Sequence, residues 1–325
     1  MPMAQAILIR QTGGPEVLAY EAHDPGPPAA GAVRVRVTAA GVNFIDVYFR
    51  TGLYPAELPI VLGREGAGVV EALGAGVDGV APGARVCWAM VPGSYAQAAN
   101  IPADKLVAVP DGVSDEAAAG AMLQGMTAHY LVHSTRPASS GDMALVHAAA
   151  GGVGLLLVQM LTRLGVRVAG TCSTAEKAEL VRAAGADRVI NYATEDFAES
   201  VAEWTAGRGV DVVYDSVGAS TFEGSMQSLR PRGMMVLFGQ SSGPVPPFDL
   251  NRLNPLGSVY VTRPSLIHYM QDRAELELRA RAVLDAVADG SLQVRIGRQF
   301  PLADAAEAHR ALEGRQTAGK IVLTC

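Results

Sequence analysis

The chain has 325 residues, of which 49% are hydrophobic and 18% charged, enough apolar material for two packed domains and too much for a disordered protein. The 26 basic and 32 acidic residues give a net charge of −6, which argues against a general affinity for nucleic acids or anionic membranes. Three widely separated cysteines offer neither a disulfide framework nor a paired metal motif. We therefore expect a soluble, cytoplasmic protein without a signal peptide or a membrane span.

The first 120 residues contain short runs that are typical of strands. Residues 33–38 alternate apolar and polar side chains, and 68–70 and 85–88 are further strand candidates. Helical periodicity is scarce in this stretch, so we predict a compact β-rich domain. An Ala-rich helix is predicted over 115–133, with Ser114 as its N-cap.

Strand and helix patterns alternate from residue 143 onward. Strands are predicted over 144–146, 166–171, 188–190, 210–214 and 234–238, and helices over 154–164, 175–184, 195–205 and 222–229. This alternation predicts an α/β domain with a parallel sheet covered on both faces. The remaining tail carries a strand over 259–261, a helix over 275–288 and a strand over 320–323. The tail either extends the α/β domain or returns to the first domain.

A glycine-rich turn stands between the predicted strand 144–146 and the helix that follows it. Its sequence over 147–154, His-Ala-Ala-Ala-Gly-Gly-Val-Gly, fits the dinucleotide fingerprint G-x-G-x-x-G with Ala149 in the first position. Gly151 lets the backbone approach a pyrophosphate, and Gly154 lets the helix pack closely on its strand. The free N–H groups and the positive dipole end of the helix suit that anion. The loop therefore predicts dinucleotide binding.

The end of the second strand of the α/β domain selects the cofactor. It reads Gly-Thr-Cys-Ser over 170–173 and lacks the carboxylate that would bind an adenosine ribose diol. The hydroxyl of Ser173 and the ammonium of Lys177 suit a 2′-phosphate, which favours NADPH over NADH. The alternative is that Lys177 only solvates a helix surface.

The sequence resembles the quinone oxidoreductase branch of the medium-chain dehydrogenase/reductase superfamily, which includes the zeta-crystallins. The matching stretches span most of the chain in the family's order: 41–46, 52–55, 63–68, 148–154, 189–192, 214–218 and 260–265. The resemblance implies a GroES-like catalytic domain over 1–124, a Rossmann NADPH-binding domain over 125–262, and a return over 263–325 that completes the catalytic domain. It also implies an active-site cleft between the domains and a homodimer joined near 259–261.

Zinc-dependent relatives in this superfamily carry a cysteine at the position of Asn43, a histidine at that of Arg64, and another ligand near Gln124. Asn and Gln bind Zn²⁺ poorly, and Arg cannot lose its proton to do so. The cysteine-rich structural zinc lobe of those relatives is missing as well. We therefore expect no metal, and a substrate such as a quinone that accepts hydride without a Lewis acid.

The resemblance also implies a set of site residues. The residues expected to line the nicotinamide and substrate cleft are Asn43, Tyr48, Tyr54 and Thr127. The residues expected to bind NADPH are Asn43, Asp46, Tyr130, Ala150, Gly151, Gly152, Val153, Ser173, Lys177, Tyr192, Ser216, Phe238, Gly239, Ser241, Arg263 and Arg315. Within this set, Asn43 and Tyr54 are expected to donate hydrogen bonds to a carbonyl that gains charge.

The sequence is also compatible with several alternatives. An NADPH-dependent enoyl or alkenal double-bond reductase would use the same hydride geometry, and a non-catalytic crystallin-like or RNA-binding protein would use the cofactor fold without turnover. His129 and His133 share one helix face but lack a third ligand for a metal. His147 next to the glycine loop is either a hydrogen-bonded core residue or a catalyst.

Overall fold

The structure, a computed structural model, describes residues 3–325. These residues form two compact units. Unit 1 contains the described residues up to Met126 together with Met270–Cys325, and unit 2 is the continuous stretch Thr127–Tyr269. The tail after Tyr269 therefore returns to the first unit, while the catalytic and cofactor-binding roles assigned to the predicted segments stay predictions.

The strands are β1 Gln5–Ile9, β2 Ala19–Ala22, β3 Ala32–Val42, β4 Ile60–Val61, β5 Glu65–Leu73, β6 Arg85–Ala89, β7 Ala98–Pro102, β8 Val107–Ala108, β9 Met143–Val146, β10 Arg167–Cys172, β11 Arg188–Asn191, β12 Val210–Asp215, β13 Leu229–Leu237, β14 Tyr260–Thr262, β15 Ile296–Pro301 and β16 Lys320–Thr324. The α-helices are α1 Phe44–Thr51, α2 Asp115–Tyr130, α3 Gly152–Arg163, α4 Ala175–Ala183, α5 Phe197–Trp204, α6 Phe222–Gln227, α7 Arg273–Ala288 and α8 Ala305–Glu313. A π-helical segment, Leu131–Thr135, continues α2.

Unit 1 is built on two sheets. The larger one has the order β15-β16-β3-β5-β6-β8, with β7 also paired to β3, and the smaller one is the antiparallel sheet β2-β1-β4. The predicted alternation in β3 is confirmed, since Val33, Val35 and Val37 are buried in the core while Arg34 and Arg36 are more exposed. Burying each such valine contributes about 1.5–3 kcal/mol of transfer free energy.

Unit 2 is a six-stranded parallel sheet in the order β11-β10-β9-β12-β13-β14. The strand order runs outward in opposite directions from β9 and β12, and because connections between parallel strands are right-handed as a rule, the helices are expected on both faces. Leu145, Val213 and Met235 pack in one buried cluster with Phe222 and Met226 of α6. Because the order of successive strands reverses between β9 and β12, a crevice for a ligand is expected at the carboxyl ends of these parallel strands.

The elements that the sequence does not predict lie mainly in unit 1. They are β1, β2, α1, β4, β7, β8, β15 and α8. Most are short, and tertiary contacts decide them more than periodicity does. For α1, the signal is a capping box between Asn43 and Asp46, which is a local motif rather than an apolar period.

Candidate functional site

The glycine loop of unit 2 lies between the end of β9 and the start of α3. Ala148 has a left-handed backbone with a φ of 49°, and Gly151 is the extended N-cap residue of α3. A Cβ atom at position 154 would lie 2.5 Å from the carbonyl oxygen of Ala148, so Gly154 is needed for the close packing of helix on loop. A Cβ atom at position 151 would meet only that oxygen, at 3.1 Å. The first turn of α3 therefore offers an open backbone with N–H donors, which fits a pyrophosphate.

The carboxyl end of β10 lies beside this loop, because the N–H of Ala149 donates to the carbonyl of Thr171 at 2.9 Å. Thr174 then caps α4 by accepting a hydrogen bond from the N–H of Lys177 at 3.2 Å. Ser173 and Lys177 are both half-buried; Ser173 precedes the N-cap residue of α4, and Lys177 lies in the first turn of that helix. The predicted pair for a 2′-phosphate thus stands at the edge of the sheet that carries the glycine loop.

The turns after β12 and β13 meet at the same edge. The N–H of Phe238 donates to the carbonyl of Asp215 at 2.8 Å, and that of Ser241 donates to the carbonyl of Ser216 at 3.2 Å. A Cβ atom at position 239 would lie 2.5 Å from the oxygen of Ser216, so Gly239 permits this contact. Because the carboxyl ends of parallel strands share one edge, the structure brings these four predicted residues to the strand ends beside the glycine loop.

The other predicted residues of unit 2 lie on three further elements. Tyr192 follows β11 and is 41% exposed. Thr127 and Tyr130 belong to α2, where the ring of Tyr130 is buried and stacks on Tyr269 with 4.2 Å between centroids. Arg263 follows β14. Direct contacts of these residues with a cofactor stay predictions.

An aromatic cluster in unit 1 contains two of the predicted cleft residues. The rings of Tyr48 and Tyr54 meet edge to face with centroids 5.2 Å apart, and Tyr54 also lies 5.6 Å from Phe49. The guanidinium of Arg64 sits 3.7 Å from the centroid of Phe49. Arg315, predicted to bind the cofactor, belongs to unit 1 and follows α8 with a φ of 55°.

Asn43 is the centre of a buried polar cluster in unit 1. Its side-chain nitrogen donates to Glu65 at 2.8 Å and to the carbonyl of Gly41 at 3.2 Å, and its oxygen accepts from Lys320 at 2.8 Å and from Gln124 at 3.1 Å. Lys320 and Glu65 also form an ion pair of 2.5 Å. Both amide hydrogens of Asn43 are thus used within unit 1, and its predicted donation to a substrate carbonyl would require one of these bonds to be exchanged.

The ion pair at the core of this cluster is fully enclosed. Burial lowers the pKa of Lys320, and the adjacent carboxylate of Glu65 opposes that shift. A buried ion pair is stable only when its remaining atoms are also hydrogen-bonded, and the second oxygen of Glu65 accepts the N–H of Leu123 at 2.6 Å. The cluster is therefore charge-balanced and held from α2, β5 and β16 together.

Asp46 begins a second network of buried hydrogen bonds in unit 1. Its Oδ2 accepts the backbone N–H of the α1 N-cap residue at 2.9 Å and the hydroxyl of Tyr95 at 3.0 Å, while Oδ1 has no hydrogen-bond partner among residues 3–325. Burial raises the pKa of Asp46 to about 7 despite these two bonds. From Tyr95 the network of hydrogen bonds continues through His309 and Arg50 to Glu313, which is partly exposed. The carboxyl of Asp46 has no exposed surface, so its observed contacts hold the start of α1.

Glu65 and Lys320 are members of the polar cluster that the sequence does not predict. Each is the first residue of a strand whose other residues are largely apolar and buried. Charged residues are rarely buried unless they are paired, so two buried strands that begin with opposite charges are the signal that would have found this pair.

The donors at the expected zinc-ligand positions do not fit a zinc ion. Asn43 is bound to the ammonium of Lys320, Arg64 lies over an aromatic ring, and Gln124 donates to Asn43. Within residues 3–325, no three or more His, Cys, Asp or Glu side chains are grouped so as to hold a metal. A buried ammonium repels a dication and amides are weak zinc ligands, so a zinc ion has no suitable ligands at these positions.

Two protein-family models match the chain. The family described as Alcohol dehydrogenase GroES-like domain matches residues 29–137, and the family described as Zinc-binding dehydrogenase matches residues 184–323. The first match lies mainly in unit 1, and the second spans parts of both units.

Named proteins match over the full chain. A 2-haloacrylate reductase from Burkholderia sp is 46% identical and a quinone oxidoreductase from Pseudomonas aeruginosa is 45% identical, with 99% of each chain covered in both comparisons. The crystal structure of Escherichia coli quinone oxidoreductase complexed with NADPH is 43% identical, with a TM-score of 0.97 over 99% of this chain and 100% of that one. The chain therefore belongs to the zinc-independent quinone oxidoreductase family of the medium-chain dehydrogenase/reductase superfamily. The predicted fold class, a GroES-like domain and a Rossmann domain, is confirmed.

Proposed function

We propose that this protein is an NADPH-dependent quinone oxidoreductase that works without a metal. The observation that carries the proposal is the combination of full-length identity to quinone oxidoreductases with a glycine loop whose backbone is open to a pyrophosphate. The ammonium of Lys320 and the amides of Asn43 and Gln124, found where related enzymes hold zinc, support the metal-independent part.

NADPH supplies a hydride from C4 of its nicotinamide when it is bound. In unit 2, the N–H groups at the start of α3 bind the pyrophosphate, and Ser173 and Lys177 bind the 2′-phosphate. Ser216 and Ser241 hold the strand-end turns against the dinucleotide. The fit rests on the open backbone at Gly151, where an added Cβ meets a single atom.

The residues of unit 1 orient the acceptor and exclude water from it. Tyr48 and Tyr54 form an apolar aromatic wall with hydroxyl groups that can hydrogen-bond a quinone oxygen. Behind Asn43, the pair of Lys320 and Glu65 fixes the amide in one orientation. Because both amide hydrogens of Asn43 are used within unit 1, its donation to an acceptor oxygen requires one of these bonds to be exchanged.

A reductase for activated carbon–carbon double bonds is the second candidate. The 46% identity to a 2-haloacrylate reductase over 99% of the chain supports it. The two activities share hydride delivery but differ in one requirement, since an alkene must also receive a proton on carbon while a quinone receives protons on oxygen. A positioned general acid is therefore essential only for the second candidate.

A substrate panel with purified protein and NADPH tests the proposal. We expect turnover with 1,4-benzoquinone and 9,10-phenanthrenequinone, and unchanged turnover after exhaustive dialysis against a chelator. Consumption of NADPH with 2-chloroacrylate or an α,β-unsaturated ketone but with no quinone would support the second candidate. Loss of quinone turnover on chelation, restored by zinc, would overturn the metal-independent part.

We further propose a cytoplasmic homodimer. The cysteines Cys87, Cys172 and Cys325 are unpaired, in accord with a reducing compartment. No helix formed by residues 3–325 is long and apolar enough to cross a membrane. At the end of the unit 2 sheet, β14 exposes 56% of Tyr260 and 39% of Val261, which suits pairing with a second copy.

A further inference from the structure

His147 lies at the centre of the strand ends of unit 2 and is buried. It follows β9, the strand between β10 and β12, and its two ring nitrogens reach toward both neighbours. Nδ1 lies 3.1 Å from the hydroxyl of Thr171 in β10, and Nε2 lies 2.9 Å from the hydroxyl of Ser225 in α6. Ser225 in turn donates to the carboxylate of Asp215, the last residue of β12, at 3.1 Å. One histidine thus links three adjacent strands.

The direction of each hydrogen bond follows from Asp215. Its carboxylate receives two backbone N–H groups of the next turn at 2.7 and 3.0 Å, the hydroxyl of Thr221 at 2.7 Å, and the hydroxyl of Ser225. Four converging donors leave this carboxylate acting only as an acceptor. The single hydrogen of Ser225 is therefore already used, and Nε2 of His147 must be the donor to its oxygen.

The other ring nitrogen then has a defined role. Burial lowers the pKa of His147, so the ring is neutral and Nδ1 accepts a hydrogen bond. Thr171 donates that bond, and its oxygen accepts the N–H of Ala148 in the glycine loop at 3.2 Å. A single chain of donated hydrogen bonds runs from Ala148 through Thr171, His147 and Ser225 to Asp215.

Both ends of this chain hold turns of the candidate cofactor site. Ala148 has the left-handed backbone that begins the glycine loop, and Asp215 fixes the turn that carries Ser216. The ring also meets Phe197 edge to face with centroids 4.7 Å apart, and this packing adds to the two hydrogen bonds that hold its orientation. A histidine that only fills the core would not need to connect two backbone turns.

We propose that His147 is a positioning residue that fixes the glycine loop relative to the turn after β12, and that this spacing sets the affinity for NADPH. The inference rests on the proposed function, because it assumes that these two turns bind the dinucleotide. His147 is not assigned a proton transfer, since both of its nitrogens are committed inside the unit.

Three substitutions break the chain at different points: His147→Phe keeps the ring and its packing, while Ser225→Ala and Thr171→Val each remove one hydroxyl. Thr205→Val is the matched control, because it removes another buried hydroxyl of unit 2 that bonds only within 201–209. NADPH affinity is measured by fluorescence titration, and backbone hydrogen exchange of 148–154 and 216–221 is measured in the cofactor-free proteins.

We expect each of the three substitutions in the hydrogen-bonded chain to raise the dissociation constant for NADPH about tenfold, since each leaves buried polar groups unpaired. We also expect the KM for NADPH to rise while kcat at saturating NADPH changes by less than about threefold, because only the ground-state contacts of the cofactor are loosened. In each of these three variants, the amides of both segments should exchange faster, even where the substituted residue lies next to only one of them. In Thr205→Val, the exchange of neither segment should change.

The inference would be overturned if the three variants bound NADPH as tightly as the unmodified protein. It would also be overturned if faster exchange were confined to the segment next to each substitution. If the unmodified protein fails to bind NADPH, the proposed function falls. In that case the exchange measurements still decide whether His147 couples the two turns. If His147→Phe does not fold, Ser225→Ala and Thr171→Val provide the same comparison from either side.

Discussion

Asp46 and Lys320 are two ionisable side chains of unit 1 that are enclosed to the same degree but stabilised differently. Lys320 has an ion-pair partner and an amide oxygen within 2.8 Å. Asp46 has two donors on one oxygen and no partner for the other among the described residues. A carboxyl in this situation is more stable with its proton, which is why its pKa rises.

The pH dependence of stability follows from that shift. Burial raises the pKa of Asp46 from 3.8 to about 7, so the folded state binds a proton that the unfolded state has released. Stability therefore falls as pH rises between these two values and is constant above them. Asp46→Asn keeps an acceptor for Tyr95 and removes the titration. We compare the free energy of unfolding of the variant with that of the unmodified protein. We expect this difference to shift in favour of the variant by on the order of 2 kcal/mol when the pH is raised from about 5 to about 8.

Urea unfolding at the two pH values measures this difference. Asp142→Asn is the control, because hydrogen bonds from Arg136 and the Ser139 backbone lower the pKa of Asp142 in spite of its partial burial. Because Asp142 titrates below the tested pH range, Asp142→Asn should change the free energy of unfolding by the same amount at both pH values. If Asp46→Asn also changed the free energy of unfolding by the same amount at both pH values, Asp46 would be ionised throughout this range.

In the proposed function, Ser173 and Lys177 favour NADPH over NADH. A hydrogen bond to a charged group contributes roughly 1.5–3 kcal/mol, so losing the ammonium of Lys177 should raise the KM for NADPH at least about tenfold. Lys177→Ala should leave the KM for NADH nearly unchanged, which serves as its internal control. Ser173→Asp should reverse the preference, because a carboxylate repels the 2′-phosphate. Equal use of both cofactors by the unmodified protein would show that neither side chain reaches the phosphate.

Elements with a strong local pattern are the ones that the sequence predicts. The parallel strands and helices of unit 2 follow from alternating apolar runs, and α3 follows from the glycine loop. Apolar periodicity does not predict the polar cluster around Asn43, because the cluster joins α2, β5 and β16 from distant parts of the chain. Periodicity reports which face of an element is buried, not which buried charges will meet. For the same reason α8, which brings His309 to Tyr95, has no local signal of its role.

Substitutions in the glycine loop separate the packing of α3 from the proposed binding of a pyrophosphate at its N-terminus. In Gly154→Ala the new methyl group would lie 2.5 Å from a backbone oxygen, and we expect a loss of about 1–3 kcal/mol of stability from overpacking. In Gly151→Ala the nearest atom is at 3.1 Å, so folding should be nearly unaffected while NADPH binding weakens. Thermal unfolding and NADPH titration of both variants give the comparison. Normal NADPH affinity in Gly151→Ala would place the pyrophosphate elsewhere.

At the scale of the whole molecule, β14 is the strand at which we propose that two copies pair. It is the last strand of the unit 2 sheet and pairs with β13 on one side. In the proposed homodimer, Tyr260 and Val261 lie at the junction of two such sheets. A double substitution of both to lysine should give a monomer in sedimentation analysis, because like charges would face each other across the symmetry axis. Leu278→Lys, at a residue of α7 that is 63% exposed, should leave the assembly unchanged. A dimer that survives the double substitution would place the interface on another surface.

The pairing of β16 with β3 has a consequence for how the protein is made. Residues 320 and 43 are joined by a hydrogen bond across 277 positions of sequence, whereas unit 2 is one uninterrupted stretch. As the chain leaves the ribosome, unit 2 can therefore complete its sheet while unit 1 still lacks the strand that closes it. Until β16 arrives, Glu65 has no cation and the edge of β3 is open to other chains. The slow and aggregation-prone stage of biosynthesis should thus belong to the half of the protein that begins to emerge first.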